Sequence, residues 1–153
     1  MKKILTITVI ILTCMNLFSG CSKKPKESDC NKLFYAAKMG EIELLQKIID
    51  EGCDVNIKKD YGLTALLWAA EKEQYEAVKL LAESGASVDH QADNGVTALM
   101  TASFKSNFKV AKLLVDSGAN PNLKADDGST ALALAKANKA ESLIKLLEDA
   151  GGI

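Results

Sequence analysis

Gly52, Gly85, Gly118 and Gly151 recur at a spacing of 33 residues, and Gly62, Gly95 and Gly128 keep the same period. A fixed period of that length marks a chain built by stacking one small supersecondary unit, each too small to bury its apolar side without a neighbour. Further columns hold the register: Leu33, Leu66, Leu99 and Leu132; Ala36, Ala69, Ala102 and Ala135; and Thr-Ala-Leu at 64–66, 97–99 and 130–132. Four units follow, at about 30–58, 59–91, 92–124 and 125–153. Inside a unit, a stripe such as Leu66, Ala69 and Ala70 precedes a second, Ala77, Val78, Leu80 and Leu81, at helical spacing. The pattern predicts an all-α solenoid of four helix-turn-helix units joined by short hairpin loops. Gly85 ends a second helix where glycine accepts the left-handed backbone, and Asp60-Tyr61-Gly62 and Asp127-Gly128 supply turns between units.

The end units read as caps. Lys47 stands where later units have Leu80, Leu113 and Leu146; Glu141 replaces Ile42, Tyr75 and Phe108, and Glu148 replaces Ile49, Ala82 and Val115. Polar groups in those columns close an exposed stack face, so an array of four is expected to be complete.

The repeated segment, about 29–153, resembles the ankyrin repeat. That family's Gly-x-Thr-Pro-Leu-His becomes Gly62-Leu63-Thr64-Ala65-Leu66-Leu67, Gly95-Val96-Thr97-Ala98-Leu99-Met100 and Gly128-Ser129-Thr130-Ala131-Leu132-Ala133. The unit's tail matches in Gly52-Cys53-Asp54-Val55-Asn56, Gly85-Ala86-Ser87-Val88-Asp89 and Gly118-Ala119-Asn120-Pro121-Asn122. Proline and histidine are lost throughout, which removes a side-chain hydrogen bond at the helix start. The interhelix glycine survives as Gly40 but becomes Glu73, Ser106 and Lys139, which predicts a strained turn at those three positions.

The N-terminus reads as an export signal. Lys2 and Lys3 precede an apolar stretch from Ile4 to Phe18, followed by Ser19, Gly20 and Cys21. That stretch is shorter than the roughly 20 apolar residues of a transmembrane helix. Leu17-Phe18-Ser19-Gly20-Cys21 resembles the lipobox of bacterial lipoproteins, with leucine commoner where Phe18 stands. The resemblance implies a signal peptide at 1–20, a lipidated Cys21 carrying acyl chains such as palmitate, and a polar tether at 21–29. A cleaved secretory signal with an incidental cysteine, or an uncleaved anchor, are the alternatives. Export leaves Cys30 and Cys53 as the remaining pair, expected to form a disulfide within the first repeat in an oxidising compartment, with two buried thiols as the alternative.

All 19 basic residues are lysine and the formal net charge is −1. No basic excess tracks a phosphate backbone, and no guanidinium fork reads guanine, so nucleic acid is not an expected partner. The chain has one histidine, His90, expected as a solvated turn residue. No nucleophile–base pair, phosphate-cradling loop or metal-ligand spacing occurs, and Glu71, Glu73 and Glu76 read as solvated faces. Neither catalysis nor a cofactor or metal is expected.

In the resembling family, partners contact the hairpin tips and the exposed side of the first helices. By register those positions are Lys58, Tyr61, Leu63, Glu71, Lys72, Gln91, Asn94, Val96, Phe104, Lys105, Lys124, Asp127 and Ser129. Tyr61, Leu63, Val96 and Phe104 form an expected apolar patch with a charged rim, set against the alternative of scattered surface residues. Trp68 is expected in the core, with a groove role as the alternative. The implied function is a lipid-anchored, monomeric protein-binding module of the bacterial envelope, on the periplasmic or outer-membrane side. A haem carrier supporting a periplasmic catalase, or an immunity protein against a secreted toxin, are the competing readings.

Overall fold

The computed structural model describes residues 30–153; the expected signal segment 1–20, the tether 21–29 and Cys21 lie outside them. Among the described residues there are eight α-helices in four antiparallel pairs: α1 (Lys32–Met39) with α2 (Ile42–Asp50), α3 (Ala65–Glu71) with α4 (Tyr75–Glu83), α5 (Ala98–Phe104) with α6 (Phe108–Asp116), and α7 (Ala131–Ala137) with α8 (Glu141–Asp149). Each helix packs on its pair mate and on the equivalent helix of the next repeat, giving an inner row α1-α3-α5-α7 and an outer row α2-α4-α6-α8.

The inner row stacks closely because its contact columns hold small residues. Ala36, Ala69, Ala102 and Ala135 are fully buried, as are Ala37, Ala70 and Ser103, whose hydroxyl donates to the Leu99 carbonyl. The leucine column Leu33, Leu66, Leu99 and Leu132 fills the space between the helix rows. From the outer row, Ile48, Leu81, Leu114 and Leu147 close the seam. Burying a leucine of this kind contributes about 1.5–3 kcal/mol, far more than the helices' propensity alone.

Helix starts are set by threonine. The side chains of Thr64, Thr97 and Thr130 accept from the N–H groups of Leu67, Met100 and Ala133, so the caps persist without the missing histidine. The first repeat has Asn31 in that place, and its side chain makes no cap. A covalent bond stands there instead: Cys30 and Cys53, both buried in the core, form a disulfide with their Cα atoms 5.5 Å apart. It pins the start of α1 to the segment that follows α2.

Repeats are also bolted at their tails. Asn56 receives the Ser87 N–H on Oδ1 and donates from Nδ2 to the Gly85 carbonyl. Asp89 accepts from Asn120 N–H, and Asn122 repeats the double bond with Gly151 and Ile153. The expected end-unit residues Lys47, Glu141 and Glu148 are exposed, and Glu148 pairs with Lys136 across 3.3 Å of open surface, an interaction of small net worth.

The interhelix turns carry the strain that the sequence implies. Gly40 has φ 71°, and the same left-handed conformation is imposed on Glu73, Ser106 and Lys139 at φ 58°, 55° and 54°. For an L-residue with a Cβ that conformation costs on the order of 1 kcal/mol. Glu73 is in part compensated, since its carboxylate accepts from Asn107 Nδ2 at 2.9 Å; the Ser106 side chain has no such bond among the described residues. Ser106→Gly is therefore expected to raise stability by about 0.5–1 kcal/mol in urea unfolding, and an unchanged or lower midpoint contradicts the assignment of strain. Replacing both Cys30 and Cys53 by serine is expected to cost about 3 kcal/mol, the chain-entropy value for a loop of this size. Reductant is expected to bring the unmodified protein to the same level in the same urea series.

Candidate partner-binding face

Hairpins project beside the inner helices. Each is closed at its base by a backbone bond: Lys59 N–H to Leu63 O, Ala92 N–H to Val96 O and Ala125 N–H to Ser129 O, at 2.9–3.0 Å. Successive hairpins are then joined, Asp93 N–H donating to Tyr61 O and Asp126 N–H to Asn94 O. Two side chains reinforce the ribbon. His90 is half-buried and its Nε2 donates to Gly62 O at 2.7 Å, and Gln91 Nε2 donates to both Gly95 O and Lys124 O. His90 is thus not the solvated turn residue that its position suggests: it fills a column that holds Ile57 and Leu123 elsewhere, and it links two hairpins.

The first hairpin differs from the others. Tyr61 and Gly62 both have positive φ, 63° and 68°, the pattern of a turn that normally takes Asn-Gly. Tyr61 is 79% exposed, so a bulky residue in strained backbone is held largely out into solvent with little packing to compensate it. In the later hairpins only the glycine is left-handed, and Asn94 and Asp127 instead accept from the N–H groups two residues on, Val96 and Ser129.

Between hairpins and inner helices run three clefts. The first, about 420 Å³, is lined by Phe34, Tyr35 and Lys38 of α1, by Lys59, Asp60, Tyr61 and Leu63 of the hairpin, by Trp68 of α3, and by Asn31. The second, about 340 Å³, lies among Leu63, Leu67, Trp68, Glu71, Lys72, Ala92, Asn94, Val96 and Thr101. The third, about 330 Å³, lies among Glu71, Val96, Met100, Thr101, Phe104, Ala125, Asp127, Ser129 and Leu134. Phe104 is 61% exposed at its edge. Trp68 is half-buried and forms the wall between the first two clefts, so the groove alternative describes it and the core expectation does not.

Of the residues expected to contact a partner, Tyr61, Leu63, Glu71, Lys72, Asn94, Val96, Phe104, Asp127 and Ser129 line these clefts. Lys105 adjoins them through an ion pair with Glu71 at 3.1 Å. Lys58, Gln91 and Lys124 share one column on the hairpin flank and line none of the three. Trp68 enters by its groove alternative, and the lining residues outside the expectation include Phe34, Tyr35, Lys38, Lys59, Thr101 and Leu134. The signal for several of them is the period itself, since Tyr35, Trp68, Thr101 and Leu134 occupy one column and none of the four is buried.

Charge is distributed unevenly along this face. Lys38 Nζ stands 4.9 Å from the centre of the Trp68 ring, and Lys59 Nζ 5.9 Å from that of Phe34. At the far end, the Ser129 backbone N–H, and then its hydroxyl, hold the Asp127 carboxyl below its ordinary value of 3.8. A lowered folded-state value means that this contribution to stability is present above the ordinary value and is lost as pH falls through the lowered one. In an NMR titration, Asp127 is expected to ionise below the exposed aspartates and to shift upward in Ser129→Ala; coincidence with the other aspartates in both proteins contradicts the hydrogen-bonded turn.

These features define a class: a solenoid of paired short helices whose hairpin ribbon and inner row make one continuous recognition face. The family model described as "Ankyrin repeats (3 copies)" matches residues 12–92, 33–125 and 85–152. The chain belongs to the ankyrin-repeat family, whose repeats are protein–protein interaction modules and generally not enzymes. Among curated proteins it is similar to an ankyrin repeat protein of Pyrobaculum aerophilum, with 50% identity over 38 residues, 25% of this chain and 15% of that relative's length.

Proposed function

We propose that this protein is a lipid-anchored binding module of the bacterial envelope that holds or modulates another envelope protein through its hairpin-side face. The observation that carries the binding face is the pair of exposed aromatics, Tyr61 at 79% and Phe104 at 61%, at the edges of clefts lined by apolar side chains and rimmed by charge. Tyr61 gives the stronger argument, because backbone strain at a residue that lies largely outside the core is retained where the residue serves something outside the fold. The envelope reading rests on the sequence of residues 1–21 and is supported by the Cys30–Cys53 disulfide, a bond that persists in oxidising compartments.

Two substitutions test the two halves separately. Cys21→Ser is expected to block processing or release the protein from the membrane fraction; unchanged partitioning and mobility reject the anchor. Tyr61→Ala with Phe104→Ala is expected to abolish capture of the partner by crosslinking in intact cells while leaving helical circular dichroism unchanged. Aromatic anchors at interfaces are worth about 2 kcal/mol or more each. Capture that survives the double change moves the binding face elsewhere.

A further inference from the structure

We infer that the cleft between the first two repeats takes a segment of a partner protein in which carboxylate side chains flank an apolar or aromatic anchor. The inference rests on the reading of the hairpin-side face as the binding face and narrows it to one chemistry. Lys38 and Lys59 both line this cleft, each with its ammonium over an aromatic ring, and neither has a carboxylate partner among the described residues. A ring face attracts the ammonium through its quadrupole but accepts few of its three N–H donors, which stay available to an anion. The rings also restrict the lysine stems before any ligand arrives, which lowers the ordering cost of binding.

The rest of the face does not offer this. Lys105, at the edge of the third cleft, is already neutralised by Glu71 at 3.1 Å, and that cleft carries the ionised Asp127. In the first cleft Asp60 is the only acid among the lining residues, against Lys38 and Lys59, so its lining keeps a net positive charge. Tyr35, Tyr61 and Trp68 supply the apolar walls. A cationic, aromatic-walled cleft at one end of a face that turns anionic at the other orients as well as attracts an acidic segment.

The chain has a single tryptophan, and Trp68 is the residue under Lys38, so its emission reports directly on this cleft. The full chain is titrated with a synthetic peptide in which glutamates flank a phenylalanine. A saturable change in emission is expected, weakened by added salt. Binding is expected to fall about tenfold or more when the peptide's glutamates become glutamine, or when Lys38→Gln and Lys59→Gln are combined. Lys38→Arg with Lys59→Arg, which keeps the charge, is expected to retain it. Circular dichroism verifies that these exposed substitutions leave the fold in place.

Equal binding of the glutamine peptide, an undiminished response in the double glutamine variant, or no response at all overturns the inference. So does binding of phosphatidylglycerol vesicles, or dimerisation in sedimentation, that the same lysine pair reduces while the peptide leaves Trp68 unmoved; those results give the cleft to a lipid surface or to a second copy. If the peptide fails but Tyr61→Ala with Phe104→Ala still abolishes partner capture, the binding-face reading stands and only the acidic chemistry is wrong.

Discussion

The contact between neighbouring repeats is the constraint from which the rest of this structure follows. A single helix pair here is too short to enclose Leu66 or Leu99; those side chains are buried because the next inner helix lies against them. The terminal repeats show the same dependence from the other side. The inner members of the outer row, α4 and α6, bury three residues each, whereas α2 and α8, with one neighbour, bury two. Small residues in the alanine columns permit the close approach, so a large side chain at Ala69 or Ala102 would separate two repeats and expose the leucines on both sides. Stability in such a stack is shared between units, which lets individual positions carry strain without loss of the fold.

That tolerance is used at four places outside glycine. Glu73, Ser106 and Lys139 occupy a turn built for glycine, and Tyr61 occupies a hairpin position suited to asparagine. The first three stand in the same column, and only Glu73 is tied by a hydrogen bond to the next repeat. Tyr61 is different in kind, since its strained backbone holds out a side chain that lies outside the core. Around it the hairpins are fastened by backbone bonds and by His90 and Gln91, so the ring is presented from a stiff support.

Period and helix pairing were legible because stacking requires each unit to repeat the same apolar columns, and the glycine and Thr-Ala-Leu columns mark both the turns and the helix starts. The clefts were legible only in part. Trp68, read from its place on one helix, belongs with the core; its column companions Tyr35, Thr101 and Leu134 show that this column faces outward, a comparison that needs all four repeats. His90 stands where other repeats have aliphatic residues, and nothing local reveals that its ring reaches the carbonyl of Gly62 in the preceding hairpin. The lysine–ring pairs join residues of different repeats, Lys38 with Trp68 and Lys59 with Phe34, and depend on how the stack turns rather than on any motif. Lys38 and Tyr35 belong to the first inner helix, where no hairpin precedes them and no Thr-Ala-Leu column marks the helix start, so the register of exposed positions is hardest to extend to them.

The disulfide has a mechanical consequence. Cys30 stands ahead of α1 and Cys53 follows α2, so tension applied to the chain ahead of Cys30 passes through sulfur to Cys53 rather than along α1 and α2. The 22 residues between them, 31–52, cannot be drawn out while the bond is intact. A pull from that end therefore enters the molecule at the boundary with the second repeat, where Asn56 is fastened to Gly85 and Ser87. Under traction the first repeat moves as a knot that can be tugged but not unravelled, and the walls of the first cleft that belong to α1 are kept at their natural length.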